Sequence, residues 1–451
     1  MTPRRLAKFS ALAVLFATSA SFAGGMVLPI RGVRTLARGG AFVAGADDAD
    51  ALWLDPAGLA HLAGNNKRAL LFDAAFVYQT VDYTRLDGDG NPLPKVTNLQ
   101  PGQPIPTLAG ALGIGDRLVI AGGLASPYSS FHRYAADGPQ RYGSVSLDGS
   151  FFVIITAGVA YKVDDRLRIG ATVQNLVSRI ASRIVVSGCP GAMTCAVEDR
   201  SFDTSIEIEQ TDYFSPSGSI GVQYDAADSL TLGLAIQAPM VVSGSGTLKL
   251  ELPTSTFFDG ASVSGDAGRI AFTLPPAVRA GIEWRPDERW RIEAALDVEL
   301  WSMHDQIEIE PENVRIENAP GGPYTVSPMV IPRQYTTSFS PSLGIEWHGP
   351  NVMFGAGYGY ETAAAPPSHV SVLTVDASKH LVGIGGGYEQ EGWQIGAAAG
   401  FVAVSGVEVP LAEARVPQLA PIADQATGVI VNAGSYRSRY VVAGLRFARR
   451  W

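Results

Sequence analysis

The side chains able to do covalent chemistry are sparse and badly spaced for it. The chain has six histidines, and His369-Val370-Ser371 brings one close to a serine in an expected outer loop. A base and a hydroxyl of one strand parity need not hydrogen-bond, and nothing supplies an orienting carboxylate. A set of carboxylates and arginines, Arg279, Glu283, Glu293, Asp297, Glu299 and Glu346, could suggest acid/base work. No nucleophile is placed beside them, so mutual ion pairing is the stronger expectation. The acidic run Asp47-Asp48-Ala49-Asp50 lacks the ligand spacing and glycine turn of a calcium loop and reads as a turn. Cys189 and Cys195, separated by Pro190 and Gly191, favour a loop disulfide over a metal site, since no histidine lies near. The residues thus predict no catalysis, no metal and no cofactor.

What these residues need is a scaffold, and its signature is alternation. Between Arg269 and Trp301, Phe272, Leu274, Pro276, Val278, Ala280, Ile282 and Trp284 share one parity, against Thr273, Arg279, Gly281, Glu283 and Arg285. After Pro286-Asp287-Glu288 the pattern repeats, with Trp290, Ile292, Ala294, Leu296, Val298 and Leu300 opposed by Arg291, Glu293, Asp297 and Glu299. Strand side chains alternate faces, so each run has a greasy side and an ionisable side. Short turns at 115–116, 164–165, 225–228, 286–288, 348–350 and 389–392 take strict turns with long links at 87–104, 127–148, 188–199, 253–265, 311–330, 362–375 and 407–431. A sandwich has no reason to obey that rule; an outer-membrane barrel does, with about fourteen antiparallel strands. Tyr161, Tyr224, Trp284, Trp290, Trp347 and Trp393 flank the short turns, as an interfacial belt requires.

Composition agrees. Of 451 residues 17% are charged, 46% are hydrophobic and 50 are glycine, with no continuous apolar run of helix-spanning length. A net charge of -9 without a basic stripe argues against nucleic acid. Residues 1–23 read as a signal peptide, from Arg4, Arg5 and Lys8, the apolar run Ala11 to Phe16 and the Ser21-Phe22-Ala23 cleavage pattern. No linker or shift of composition separates further domains, so 67–451 is read as one transmembrane β-barrel and 24–66 as a segment that must find its burial inside a host.

That segment carries a recognisable motif: Gly39-Gly40-Ala41-Phe42-Val43-Ala44, Asp47-Asp48-Ala49-Asp50-Ala51-Leu52 and Asp55-Pro56-Ala57-Gly58-Leu59. It resembles the N-terminal hatch of the FadL-type outer-membrane transporters of long-chain fatty acids and other hydrophobic compounds. Gly123 to Tyr128, Ala160 to Leu167, Leu274-Pro275, Trp301-Ser302, Gly355 to Tyr358 and Gly385 to Tyr388 extend the resemblance over most of the chain. The resemblance implies a fourteen-stranded barrel plugged by 24–66. It further implies passive uptake from outer loops into the lumen, and a lateral exit beside a kinked third strand, 117–126. Gly122-Gly123 would be the kink, or a pair packed on the plug. Arg179 and Arg183 stand near the family's basic ligand contacts. In this strand Leu167, Ile169, Ala171 and Val173 form the greasy face, so the phase is expected to flip near Asn175. Either a bulge turns the arginines inward to pair with a ligand carboxylate, or the strand has left the membrane there. Asp55 stands where the family usually has asparagine, adding a charge and losing an amide donor. The implied partners are a long-chain fatty acid or similar hydrophobic molecule and the lipid and lipopolysaccharide of the outer membrane, and the implied state is a monomer. An open diffusion porin is the main rival and an outer-membrane lipid hydrolase the weaker one.

Overall fold

The alternating runs close into one wall in the computed structural model, which describes residues 32–128, 131–191, 193–423 and 428–451. The expected signal peptide lies outside these residues. Fourteen strands form the wall: β1 (Arg68–Arg85), β2 (Gly102–Ile114), β3 (Leu118–Ala125), β4 (Phe151–Lys162), β5 (Leu167–Ser187), β6 (Asp203–Ala227), β7 (Leu230–Gln237), β8 (Ala277–Trp284), β9 (Trp290–Glu299), β10 (Ser338–His348), β11 (Val352–Glu361), β12 (Lys379–Gln390), β13 (Trp393–Val404) and β14 (Gly434–Arg450). Each pairs antiparallel with the next, and β14 returns to β1 in a ladder from Ala69 opposite Arg450 to Arg85 opposite Gly434. Closure leaves no unpaired edge, which is what allows strands to cross a bilayer. Short turns lie at one end and long loops at the other, as the spacing predicts.

Exposure fixes which parity faces out. Ile282 is 53% exposed and Trp284 49%, whereas Glu283 between them is fully buried. Tyr161, Tyr224, Trp284, Trp290 and Trp393 are exposed around the short-turn end, and Trp347 is half-buried.

Two expectations about parity are corrected. Phe272 and Leu274 do not share the outward face of Ile282; both are buried. The segment Ala267–Leu274 is separated from β8 by Pro275-Pro276, and the interrupted ladder resets which residues point in. Similar interruptions at 238–239, 300–305 and 333–337 split β7, β9 and β10 from their outer continuations Met240–Ser243, Gln306–Glu312 and Met329–Pro332. One side of the wall therefore has a lower, membrane-facing part and an upper part, joined by irregular backbone.

In β5 the phase does not flip. Thr172, Gln174, Leu176, Ser178, Ile180 and Ile184 are all buried on one parity. The bulge lies in the partner strand, where the β5–β6 register shifts between Leu176 and Ser178 and both Tyr213 and Phe214 are 75% exposed. What changes along β5 is chemistry: its inward side chains pass from polar to apolar, and its outward ones from apolar to charged.

Before β1 come two short helices, α1 (Val33–Ala37) and α2 (Ala51–Leu54), and a 3-10 turn, Pro56–Leu62. Among the described residues no helix is long and apolar enough to cross a membrane. Nearly every residue from 33 to 62 is buried, against the inward faces of the strands.

Candidate functional site

The floor of the lumen is an ion-pair lattice. Arg34 holds Glu346 of β10 through two contacts, Nε to Oε1 at 2.7 Å and Nη2 to Oε2 at 2.8 Å, and reaches Asp47 at 2.6 Å. Arg38 donates to Glu283 of β8 at 3.0 Å, Glu293 of β9 at 2.7 Å and Glu346 at 3.1 Å. Glu293 also accepts the backbone N–H groups of Val43 at 2.6 Å and Ala44 at 2.8 Å. The ring of Phe42 lies under both guanidinium groups, 4.7 and 5.1 Å from their carbons. Arg446 of β14 donates to Asp48 and Asp50, each at 2.6 Å, and to Asp73 of β1 at 3.2 Å. Buried charges persist only when each is paired, so the lattice is tolerable complete and costly if broken.

Contact with the wall depends on missing side chains. An inward glycine admits the 33–64 backbone on β2, β5, β7, β8 and β10 to β12, and side chains of the same segment on β3, β4, β6, β13 and β14. A Cβ on Gly357 would lie 2.1 Å from the Arg38 carbonyl, one on Gly383 1.8 Å from Leu36 O, one on Gly170 2.3 Å from Pro56 and one on Gly233 2.7 Å from Ala44. Within the motif itself, Gly39 has φ 61° and Gly40 φ 99°, conformations that favour glycine. A side chain on Gly58 would strike Ala46 O at 2.0 Å. Asp55 caps the 3-10 turn, accepting from Ala57 N at 3.0 Å, while Pro56 occupies the first turn. Its Oδ2 has no hydrogen-bond partner among the described residues. Burial pushes the Asp55 carboxyl well above the usual carboxylate range, against the lowering by the Ala57 amide and Arg279, and Glu293 adds to the rise.

Above this floor the inward faces turn apolar. A chamber is lined by Phe152, Ile180, Ile184, Phe272, Ile309 and Ile331 with the 143–150 segment of the β3–β4 loop. A second space reaches Gly39 and Gly40 and includes Arg279 and Lys379. Both cations are paired, Arg279 with Asp297 at 3.1 Å and Lys379 with Glu361 at 2.9 Å.

Other sequence candidates fall elsewhere. Arg179 and Arg183 do not enter the lumen: they sit on the outward parity, where Arg179 meets Glu209 at 3.2 Å and Arg183 meets Glu207 at 3.5 Å and Glu251 at 3.4 Å. As ligand contacts in the lumen they are therefore set aside: on the outward face each is paired with a carboxylate of a neighbouring strand. Gly122 and Gly123 lie in unbroken ladders with β2 and β4. Gly123 faces in, and a Cβ there would be 2.9 Å from the Trp53 ring; Gly122 faces out with nothing nearer than 3.5 Å. Cys189 and Cys195 are joined by a disulfide in the β5–β6 loop. His369 bonds Ser368 rather than Ser371.

A histidine–serine contact that sequence spacing missed is His132 Nε2 to Ser144 Oγ, 2.7 Å, at the chamber wall. Burial pushes the His132 imidazole down to about 3, too weak a base to activate a hydroxyl, so the pair is structural. Also missed were the partners of Asp48 and Asp50. The signal was present, for Arg446 lies on the parity opposite to Val441, Ala443, Leu445 and Phe447.

The comparisons agree with this geometry. The model of the family described as outer membrane protein transport protein (OMPP1/FadL/TodX) matches residues 14–440. A solved FadL homologue of Pseudomonas aeruginosa superposes with TM-score 0.77 at 16% identity, over 94% of this chain and 99% of that one. The toluene transporter TodX of P. putida gives TM-score 0.65 at 15% identity, over 95% and 99%. The toluene transporter TbuX of Ralstonia pickettii gives 0.61 at 14%, over 93% and 98%. No curated protein sequence matches the chain. With the family model spanning nearly all of a closed fourteen-stranded barrel, the chain belongs to the OMPP1/FadL/TodX family of outer-membrane transport proteins.

Proposed function

We propose that this protein passively carries long-chain fatty acids or similar hydrophobic compounds across the outer membrane, with residues 24–66 as its hatch. The observation that carries this reading is the order of environments along the lumen. An apolar chamber lies below the outer loops, and a charged, close-fitting floor lies beneath it. A hydrophobic molecule gains free energy by entering the chamber, at ~25 cal/mol per Å² buried, and meets a polar barrier if it continues downward. An ion meets the reverse, which disfavours an open diffusion porin. Relatives described as toluene transporters and as a monoaromatic hydrocarbon channel support a hydrophobic cargo. No step requires a covalent intermediate or a cofactor.

The exit we propose is sideways, above the end of β3. That strand stops at Ala125, so Gly102 to Pro106 of β2 pair with β1 alone, and Phe151 to Val153 of β4 pair with β5 alone. The wall at this height is completed by loop side chains such as Tyr128 rather than by a ladder. Planar-bilayer recording tests the hatch: deleting 24–66 should raise ion conductance sharply and abolish selective uptake of oleate or toluene by cells that express the protein. Conductance equal to that of the full chain would sink the assignment.

A further inference from the structure

Three arginines stand at the short-turn foot of β14, and they turn to different sides of the wall. Arg446 and Arg450 have the inward parity: Arg446 holds Asp48, Asp50 and Asp73, and Arg450 comes within 4.0 Å of Asp48. Arg449 has the outward parity, shared with Phe447 and Trp451, and is exposed. Its guanidinium makes no ion pair and no hydrogen bond among the described residues. What it meets is two rings, with its carbon 4.3 Å from the centre of Trp393 and 5.1 Å from that of Trp451. The ladders set Arg449 opposite Trp393 on β13 and opposite Leu70 on β1. Trp393 is fixed in turn by an edge contact with Phe447, ring centres 6.0 Å apart.

The height of this cluster follows from the strand. Between Arg439 and Arg449 the outward side chains of β14 are Val441, Ala443, Leu445 and Phe447. Ten steps of ~3.4 Å, tilted by ~40°, cover ~25 Å, the height of the apolar band of an outer-membrane barrel. Arg449 thus stands at the periplasmic edge of that band, among the headgroups. Cation–π attraction to the two rings positions the charge and shields it from water but does not neutralise it. The anion that every phospholipid brings to this level is a phosphate diester, whose oxygens suit the planar fork of guanidinium N–H donors. Leu70 and Phe447, both exposed beside the arginine, offer apolar surface to the acyl chains.

We propose that Arg449, held by Trp393 and Trp451, binds the phosphate of a phospholipid of the periplasmic leaflet, on the seam where β14 closes against β1. The site lies on the outside of the wall and is independent of the cargo that the lumen carries.

Native mass spectrometry tests it on the full chain released from detergent micelles after incubation with dioleoylphosphatidylglycerol or with dioleoylglycerol, which has the same chains and no phosphate. The intact protein should retain the phospholipid over dioleoylglycerol by about three- to tenfold. Arg449→Gln should remove that preference and Trp393→Leu should lessen it. Arg437→Gln should leave it unchanged, since Arg437 lies at the far end of the same strand and pairs with Glu408 at 3.1 Å. Equal retention of the two lipids by the intact protein overturns the site, as does a preference undiminished in Arg449→Gln or lost equally in Arg437→Gln. Should Arg449→Gln fail to fold, Trp393→Leu decides, and a full preference in that variant overturns the clamp. Loss of the preference when inorganic phosphate is added would mark a site for free anions and overturn its assignment to a lipid.

Discussion

Asp55 shows how one side chain can set the response of a whole floor to pH. Its carboxyl is buried, accepts one hydrogen bond through Oδ1, and leaves Oδ2 bare among the described residues. Burial raises its folded-state pKa above the unfolded value, so above the ordinary carboxylate range the folded state binds more protons than the unfolded one. Stability from this group must therefore fall as pH rises from that range toward the raised value. Asp55→Asn removes the titration. Thermal unfolding of the barrel, followed by the loss of its fast-migrating band on electrophoresis, should drop more between about pH 5 and about pH 8 in the native protein than in Asp55→Asn. Parallel pH slopes in the two proteins would show that Asp55 is solvated after all. The departure from asparagine was legible in the sequence; its isolation was not, because burial is a property of what surrounds a residue.

At the scale of elements, β3 is where packing and gating can be told apart. A Cβ on Gly123 would lie 2.4 Å from Leu108 O and 2.9 Å from the Trp53 ring, which itself donates to Thr156 Oγ1 of β4 at 3.0 Å. Gly122 has room. Gly123→Val should therefore cost about 1–3 kcal/mol by overpacking and slow uptake, while Gly122→Val should leave both near their native values. Urea unfolding and oleate uptake measured on the two variants check this; equal slowing by both would point to backbone bending rather than to contact with the hatch segment. The strands that form the membrane wall were readable because alternation needs only local sequence. Two things defeated it. Pro275-Pro276 interrupts a ladder and resets its parity, so Phe272 and Leu274 were placed outside although they line the lumen. Arg179 and Arg183 looked like a change of phase because a strand can exchange chemistry between its faces while its geometry stays constant. The inward glycines were visible as composition only, since each is explained by atoms from a distant part of the chain.

For the molecule as a whole, the sealing charge lattice and the closure of the barrel share a residue. Arg446 of β14 joins Asp73 of β1 to Asp48 and Asp50 of the segment ahead of β1. Arg446→Met would strand the buried carboxylates of Asp50 and Asp73 and leave Asp48 mainly with Arg34, at a cost of about 3–5 kcal/mol, and should both lower the unfolding temperature and admit ions in planar-bilayer recordings. Native conductance together with native heat resistance in that variant would show the lattice to be dispensable.

The same arrangement orders the making of the protein. The acidic segment is synthesised first and its arginine almost last, some four hundred residues later, at a separation of 398 for Asp48 and Arg446. Until the final strand docks against the first, Asp50 lacks its counter-charge and Asp48 has Arg34 alone. Docking of the last strand on the first therefore also completes the ion pairs of the segment that precedes the barrel.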